Sequence, residues 1–158
     1  MHAGEFDEAL FFRAIEQAGV RCLLIGRRAL IVLGLPVMTA DYDLWIHSED
    51  AALLNEAVKE FDLFPNRTVE EARNAGRYVL ENDEHVDVLL SKTRSTVDGV
   101  ALAFDDAFAR RQAIALGKGA TVHVPCLDDL ILTKRFASRP KDAEDVRLLE
   151  TLRRSGAG

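Results

Sequence analysis

Hydrophobic positions along the chain repeat with two different periods, which predicts a mixture of helices and strands. Over residues 5–18 apolar side chains recur three or four positions apart before Gly19, the spacing of an amphipathic helix and its stop. Short apolar runs are typical of buried strands at residues 21–25, 42–46, 77–81 and 86–90. Further helices are predicted over residues 28–33, 51–61, 68–74, 104–111, 127–137 and from Pro140 onward.

Two antiparallel hairpins are predicted in the second half of the chain. Residues 77–81 and 86–90 flank a turn at residues 82–84, and residues 112–116 and 120–124 flank Gly117-Lys118-Gly119. The order of elements predicts an α/β (α+β) fold, with a mixed central sheet flanked by helices. We expect one domain over residues 1–158, ending in C-terminal helices from about residue 127.

Composition narrows the class of protein. The 158 residues are 48% hydrophobic and carry a net charge of −6, which is typical of a globular protein and argues against a broad nucleic-acid-binding surface. No apolar run approaches the roughly 18 residues of a membrane span, and the acidic start is unlike a secretory signal. We therefore expect a cytoplasmic protein without membrane association. Cys22 and Cys126 are interpreted as two free thiols.

Three aspartates lie in or next to predicted strands, where a carboxylate is energetically unfavourable unless a partner or a cation stabilises it. Asp41 and Asp43 are two residues apart, so in a strand both point to the same face. Asp87 is the one acid in an apolar run, where a carboxylate is costly unless it is paired or bound to a metal. If the two strands are neighbours, the three carboxylates converge on one site. Oxygen ligands of this kind suit Mg²⁺.

A set of residues around these aspartates resembles the DNA polymerase beta-like nucleotidyltransferase superfamily, most closely its small bacterial branch of AbiEii-type toxins and minimal nucleotidyltransferases. In the first half of the chain the matching positions are Gly26, Ala29, Gly34, Thr39, Asp41 and Asp43. In the second half they are Leu127-Asp128-Asp129-Leu130, Lys134, Arg139-Pro140-Lys141-Asp142 and Asp145. The resemblance therefore covers most of the chain.

The resemblance implies a Mg²⁺-dependent nucleotidyltransferase that acts on a nucleoside triphosphate. Asp41, Asp43 and Asp87 would be the catalytic residues and the metal ligands. The nucleotide would be held by Gly26, Arg27, Thr39 and Lys134. A nucleoside monophosphate would pass to a hydroxyl of an RNA, a protein or a small molecule. The family branch also implies membership of a toxin–antitoxin module, with an antitoxin-like partner.

Two positions depart from the family pattern and keep a second function open. Arg27 stands where the family has a small residue, and it either contacts phosphate or blocks the pocket. Val37 stands where an arginine is usual. Both favour the alternative of a catalytically degenerate member that acts as a binding or regulatory partner.

Each candidate residue also has a simpler interpretation. Asp41 and Asp43 could be solvated acids on an exposed strand face. Lys134 could belong to a solvated helix face, Thr39 to a turn, and His85 to the surface of a hairpin.

Overall fold

The computed structural model describes residues 6–82, 84–137 and 139–156. In chain order its elements are α1 (Glu8–Gln17), β1 (Cys22–Ile25), α2 (Gly26–Val32), β2 (Tyr42–Ile46), α3 (Ala51–Ala57), β3 (Phe64–Pro65), α4 (Val69–Ala75), β4 (Arg77–Glu81), β5 (His85–Leu89), β6 (Thr93–Ser95), β7 (Ala101–Ala103), α5 (Phe104–Ala109), β8 (Gln112–Gly117), β9 (Ala120–Val124), α6 (Leu127–Thr133) and α7 (Pro140–Arg154). A single 3₁₀ turn, Lys59–Phe61, follows α3. The predicted turn at residues 82–84 includes Asp83, which lies outside the described residues.

The central sheet has five strands in the order β1-β2-β5-β4-β3. β2 and β5 run parallel, whereas the other neighbouring pairs are antiparallel. This confirms the predicted mixed sheet flanked by helices. Two separate two-stranded sheets complete the described strands, β6 with β7 and β8 with β9.

Local sequence signals explain several of the helix ends. The side chain of Asp7 accepts a hydrogen bond from the Leu10 N–H at 3.1 Å and caps α1. Thr68 and Glu71 form the reciprocal capping box that begins α4. Pro140 occupies the first turn of α7, where its missing N–H has no cost.

The two faces of the central sheet are covered by different apolar clusters. Tyr42, Leu44 and Ile46 point into the larger core, which also receives the apolar side of α1. Trp45 points to the opposite face and is fully buried against Phe104 of α5. Because side chains alternate along a strand, Asp43 lies on the Trp45 face. The Asp43 carboxylate and the buried Trp45 indole therefore lie on the same face of the sheet, two residues apart on β2.

Some element boundaries differ from those predicted. The helix predicted over residues 51–61 ends at Ala57 and continues as the 3₁₀ turn, and the helix predicted over residues 127–137 ends at Thr133. The short strands β3, β6 and β7 were not predicted, because two or three residues carry no readable period. No helix among the described residues is long and apolar enough to cross a membrane.

Candidate active site

Asp43 and Asp87 are direct partners in the central sheet. They face each other across the parallel pair formed by β2 and β5. The residues that follow them, Leu44 and Val88, are also partners and are buried on the other face of the sheet. The hypothesis that these strands are neighbours is therefore correct, and two carboxylates lie side by side as a result.

Gly26 lies against the Asp43 carboxylate. β1 and β2 are antiparallel with Ile25 opposite Asp43, so the chain leaves β1 beside that side chain. A Cβ atom at residue 26 would come within 2.3 Å of Asp43 Oδ2, and the φ angle of Gly26 is +70°. Only glycine accepts both conditions without strain. The glycine thus makes room for a carboxylate of this chain.

Asp41 lies just before β2 and is exposed. Its backbone N–H donates to Thr39 Oγ1 at 3.1 Å, so Thr39 shapes the turn that leads to this aspartate. The charge of Asp41 acts on Asp43, where it raises the pKa of that carboxyl group. All three predicted aspartates therefore share one region of the molecule.

The pKa of Asp43 lies above its ordinary value. Burial is the largest cause, and the neighbouring Asp87 is the next. The positive charges of Lys134 and Arg139 act in the opposite direction and lower the pKa of Asp43. The two half-buried carboxylates repel each other, and a cation bound between them would reduce that repulsion.

The donor set fits Mg²⁺ in chemistry, although its geometry is incomplete. Within residues 6–82, 84–137 and 139–156, no three carboxylate, imidazole or thiol side chains are grouped closely enough to hold a metal ion. Asp43 and Asp87 nevertheless offer adjacent carboxylate oxygens, which are the ligands that hard cations prefer. Asp41 is exposed and could supply a third carboxylate by rotating its side chain.

Two basic side chains that were not chosen from the sequence stand beside Asp87. His85 Nε2 lies 3.3 Å from Asp87 Oδ2, and Arg77 Nη2 lies 4.0 Å from Asp87 Oδ1. Strand geometry explains both contacts, since His85 shares a face with Asp87 and Arg77 stands on the adjacent strand β4. His85 is half exposed, as a hairpin residue should be, but it also contacts the site.

Arg27 and Arg28 tie the loop before Asp41 to helix α2. Arg27 Nη1 donates to the Met38 carbonyl at 3.4 Å, and Arg28 Nη2 donates to the Thr39 carbonyl at 3.1 Å. The Arg28 guanidinium also stacks 4.3 Å from the centre of the Tyr42 ring. These contacts of Arg27 and Arg28 with the loop were not predicted from the sequence.

Lys134 is buried, so its interpretation as part of a solvated helix face was wrong. Its side chain is 4% exposed, and Nζ lies 2.8 Å from Asp145 Oδ2 and 3.1 Å from Asp142 Oδ1. Both carboxylates belong to α7, and the pairing removes the charge penalty that burial would otherwise impose. Direct contact between Lys134 and a nucleotide stays a prediction.

Arg27 and Arg139 extend this group of charges on either side. Arg27 donates through Nε and Nη2 to the two Asp145 oxygens at 3.2 and 3.1 Å. Arg139 donates in the same two-point manner to Asp142 at 2.8 and 3.2 Å. We call Arg27, Lys134, Arg139, Asp142 and Asp145 the α7 ion network. A signal for it existed in the sequence, since Asp142 and Asp145 share the face of α7 that carries the buried Val146 and Leu149.

The mixed sheet and its flanking helices have the fold of solved nucleotidyltransferases. Lincomycin-bound LnuA, a lincosamide antibiotic adenylyltransferase, superposes with a TM-score of 0.61 at 12% identity, over 94% of this chain and 99% of that one. The antibiotic-resistance factor ANT(2'')-Ia gives 0.61 at 15% identity, over 90% and 80% of the two chains. TM1012 of Thermotoga maritima, a candidate nucleotidyltransferase, gives 0.53 at 16% identity, over 98% and 97%.

These similarities establish the fold of the chain. No family model matches the sequence, and no curated protein matches it.

Proposed function

We propose that this chain is a nucleotidyltransferase that moves a nucleoside monophosphate from a nucleoside triphosphate to a hydroxyl group of a small molecule. The observation that carries the proposal is the registered pair Asp43 and Asp87, with Gly26 packed against it. A sheet places two carboxylates side by side at an energetic cost, which a bound cation would offset. The fold shared with known nucleotidyltransferases points in the same direction.

The structurally similar proteins suggest which class of acceptor to consider. LnuA was solved with lincomycin, and a structure of ANT(2'')-Ia contains adenylyl-2''-tobramycin. Both are small molecules. The net charge of −6 is also unfavourable for an extended RNA surface. We therefore favour a small-molecule acceptor over RNA, a protein or an antitoxin-like partner.

Mg²⁺ would be held by Asp43 and Asp87, with Asp41 as a third ligand. Bound there, it would neutralise the triphosphate charge and polarise the phosphorus–oxygen bond that breaks. In the reaction, the acceptor oxygen forms a bond to the α-phosphorus and pyrophosphate leaves with the electrons of the broken bond. The acceptor proton would pass to a carboxylate oxygen of Asp87, whose side chain is 31% exposed.

The cationic side of the site would bind the triphosphate. Arg27 follows Gly26 directly and shares the Asp145 carboxylate with Lys134, and Arg139 joins them through Asp142. Together they offer two guanidinium groups and one ammonium group, which are the groups that bind phosphate. Thr39 would contribute indirectly, through the turn that it forms with Asp41.

The first test is thermal unfolding with Mg²⁺ and each NTP, for the wild type, Asp43→Asn and Asp87→Asn. A ligand at one hundred times its Kd stabilises a protein by about 2.7 kcal/mol. We expect a Mg²⁺-dependent shift with at least one NTP in the wild type and no shift in either variant. Asp128→Asn is the matched control, since Asp128 is 72% exposed and pairs with Arg153 at the surface.

Turnover separates the enzyme from a degenerate relative. Pyrophosphate release is measured with the NTP that binds and with lincomycin, tobramycin and other hydroxyl compounds as trial acceptors. Binding and turnover in the wild type, both lost in Asp87→Asn, support the proposal. Absence of a shift with every NTP contradicts it, whereas binding without turnover across a broad acceptor set favours a non-catalytic nucleotide-binding protein.

A further inference from the structure

Asp145 is the most completely buried carboxylate of the α7 ion network. Its side chain is 0% exposed, and both of its oxygens are used. Oδ1 accepts from Arg27 Nη2 at 3.1 Å, and Oδ2 accepts from Arg27 Nε at 3.2 Å and from Lys134 Nζ at 2.8 Å. A carboxylate so placed is stable only while both cations stay with it.

The geometry of this contact fixes the direction of the Arg27 side chain. A guanidinium that meets a carboxylate through two parallel hydrogen bonds has little rotational freedom. Arg27 also donates to the Met38 carbonyl, so its third nitrogen is engaged as well. The side chain runs from the turn at Gly26 to helix α7, which makes it a bridge between the two parts of the site.

The network carries an excess of positive charge. It contains three cations, Arg27, Lys134 and Arg139, and the two carboxylates Asp142 and Asp145. The two carboxylates are three residues apart on α7, and therefore stand on the same face of that helix. The network adjoins the Asp43–Asp87 pair, because Arg27 directly follows Gly26, which packs against Asp43. Phe136, two residues after Lys134, also packs on Trp45 on the same face of the sheet as Asp43.

We propose that Asp145 is a positioning residue for the triphosphate: it binds both the Arg27 guanidinium and the Lys134 ammonium, so that the two cations meet the phosphates in a fixed arrangement. This inference rests on the proposed function. It makes helix α7 a working part of the nucleotide site and gives Arg27, a departure from the family pattern, a defined role.

The sign of the effect distinguishes positioning from simple electrostatics. Removal of the Asp145 charge makes the site more positive, so electrostatics alone predicts tighter binding of a triphosphate. Loss of positioning predicts weaker binding, because Arg27 and Lys134 must then be ordered at the expense of binding free energy. A purely structural role predicts a lower melting temperature with an unchanged Kd for the folded protein.

The experiment measures the Kd of the Mg²⁺–NTP that stabilises the wild type most, and the Kd of inorganic tripolyphosphate with Mg²⁺. The variants are Asp145→Asn, Arg27→Gln and the double variant, each titrated at a temperature where it is folded. Asp128→Asn is the control, because it removes another carboxylate that links α6 to α7 through an arginine, Arg153, at the surface.

We expect each single variant to raise both Kd values at least about tenfold, the usual scale for a charged hydrogen-bonded contact. The double variant should be no weaker than either single one, because the two residues act as a unit. The control should match the wild type. An unchanged or lower Kd in folded Asp145→Asn overturns the inference while the proposed function stands.

Two further outcomes are informative. If the wild type binds neither an NTP nor tripolyphosphate, the proposed function fails and the inference fails with it. If Asp145→Asn does not fold, Arg27→Lys decides the question, since lysine keeps the charge but lacks the two-point contact. A tenfold weaker Kd in that variant supports positioning, and an unchanged Kd overturns it.

Discussion

The carboxylate of Asp43 occupies the space where a side chain on Gly26 would begin. A Cβ atom there would lie 2.3 Å from Asp43 Oδ2 and 3.0 Å from its Cγ. The first strand of the sheet is thus followed by a residue without a side chain, at the point where the next strand carries an acid opposite the last residue of the first. Glycine and aspartate form one unit, although they are far apart in the sequence.

Gly26→Ala should therefore displace Asp43. We expect a loss of stability of about 1–3 kcal/mol from the positive φ angle, and in addition a loss of Mg²⁺–NTP binding. Gly19→Ala is the control, because its φ of +79° imposes the same backbone strain while nothing lies within 4 Å of the added carbon. Denaturant unfolding and nucleotide titration check both effects. Equal nucleotide Kd values in the two variants would argue against the contact.

Asp43→Asn should stabilise the ligand-free protein at neutral pH. Burial and Asp87 raise the pKa of Asp43 above its ordinary value. The folded state therefore binds this proton more tightly than the unfolded state, and the corresponding stability is lost as pH rises through the raised pKa. Because Asp43→Asn removes one of two like charges that face each other on neighbouring strands, it should raise the unfolding free energy by about 0.2–1 kcal/mol.

The pH dependence of that gain provides the check. The difference in unfolding free energy between Asp43→Asn and the wild type should be largest at neutral pH, shrink as pH falls through the raised pKa of Asp43, and vanish below the ordinary aspartate pKa. A gain that is the same at every pH would contradict the electrostatic origin. Saturating Mg²⁺–NTP should reverse the order of stability, since only the wild type keeps the full ligand set.

Lys134→Met should destabilise the fold strongly. Removal of one partner from a buried ion network leaves Asp142 and Asp145 without their shared cation, which costs about 3–5 kcal/mol. Lys59→Met is the control, since the exposed Lys59–Glu56 pair should contribute less than about 1 kcal/mol. Fluorescence of Trp45, the single tryptophan, follows unfolding in both variants. Similar losses of unfolding free energy in the two variants would show that the α7 ion network contributes little to stability.

The two thiols should differ in reactivity. Burial raises the pKa of Cys22 to about 12, so almost no thiolate forms at pH 8. Cys126 is partly exposed, and burial raises its pKa as well, though it stays accessible. Iodoacetamide should label Cys126 slowly and Cys22 only after unfolding, as peptide mass mapping would show. Equal labelling of both in the native protein would contradict the position of β1 in the core.

Sequence periodicity was sufficient for the strands that build the site. β2, β4 and β5 lie where short apolar runs were found, since four or five residues alternating between two covered faces leave a clear pattern. Convergence of the aspartates was predicted only on the condition that the two acid-bearing strands are neighbours, which the pairing of β2 with β5 meets. Its parallel direction and its register could not be derived, because both depend on contacts between residues distant in sequence.

The burial of Lys134 could not be predicted from the local sequence. A lysine at a helix end is usually solvated, so that interpretation was reasonable on local grounds. Two acids of the following helix reverse the expectation, since Asp142 and Asp145 surround the ammonium group. The position of these acids on the buried face of α7 signals that they need partners, but local patterns do not identify the partners. The same limit hid the contacts of Arg27 with Asp145.

The parallel pairing of β2 with β5 also has a consequence for folding. The hairpins β4–β5 and β8–β9 need only short loops to close, whereas Asp43 meets Asp87 only after the whole intervening segment has been brought back. A collapsed chain that keeps its hairpins would retain most strand signal in circular dichroism but would have no carboxylate pair. Nucleotide-dependent protection from proteolysis would thus report correct topology, and it should appear later in refolding than secondary structure.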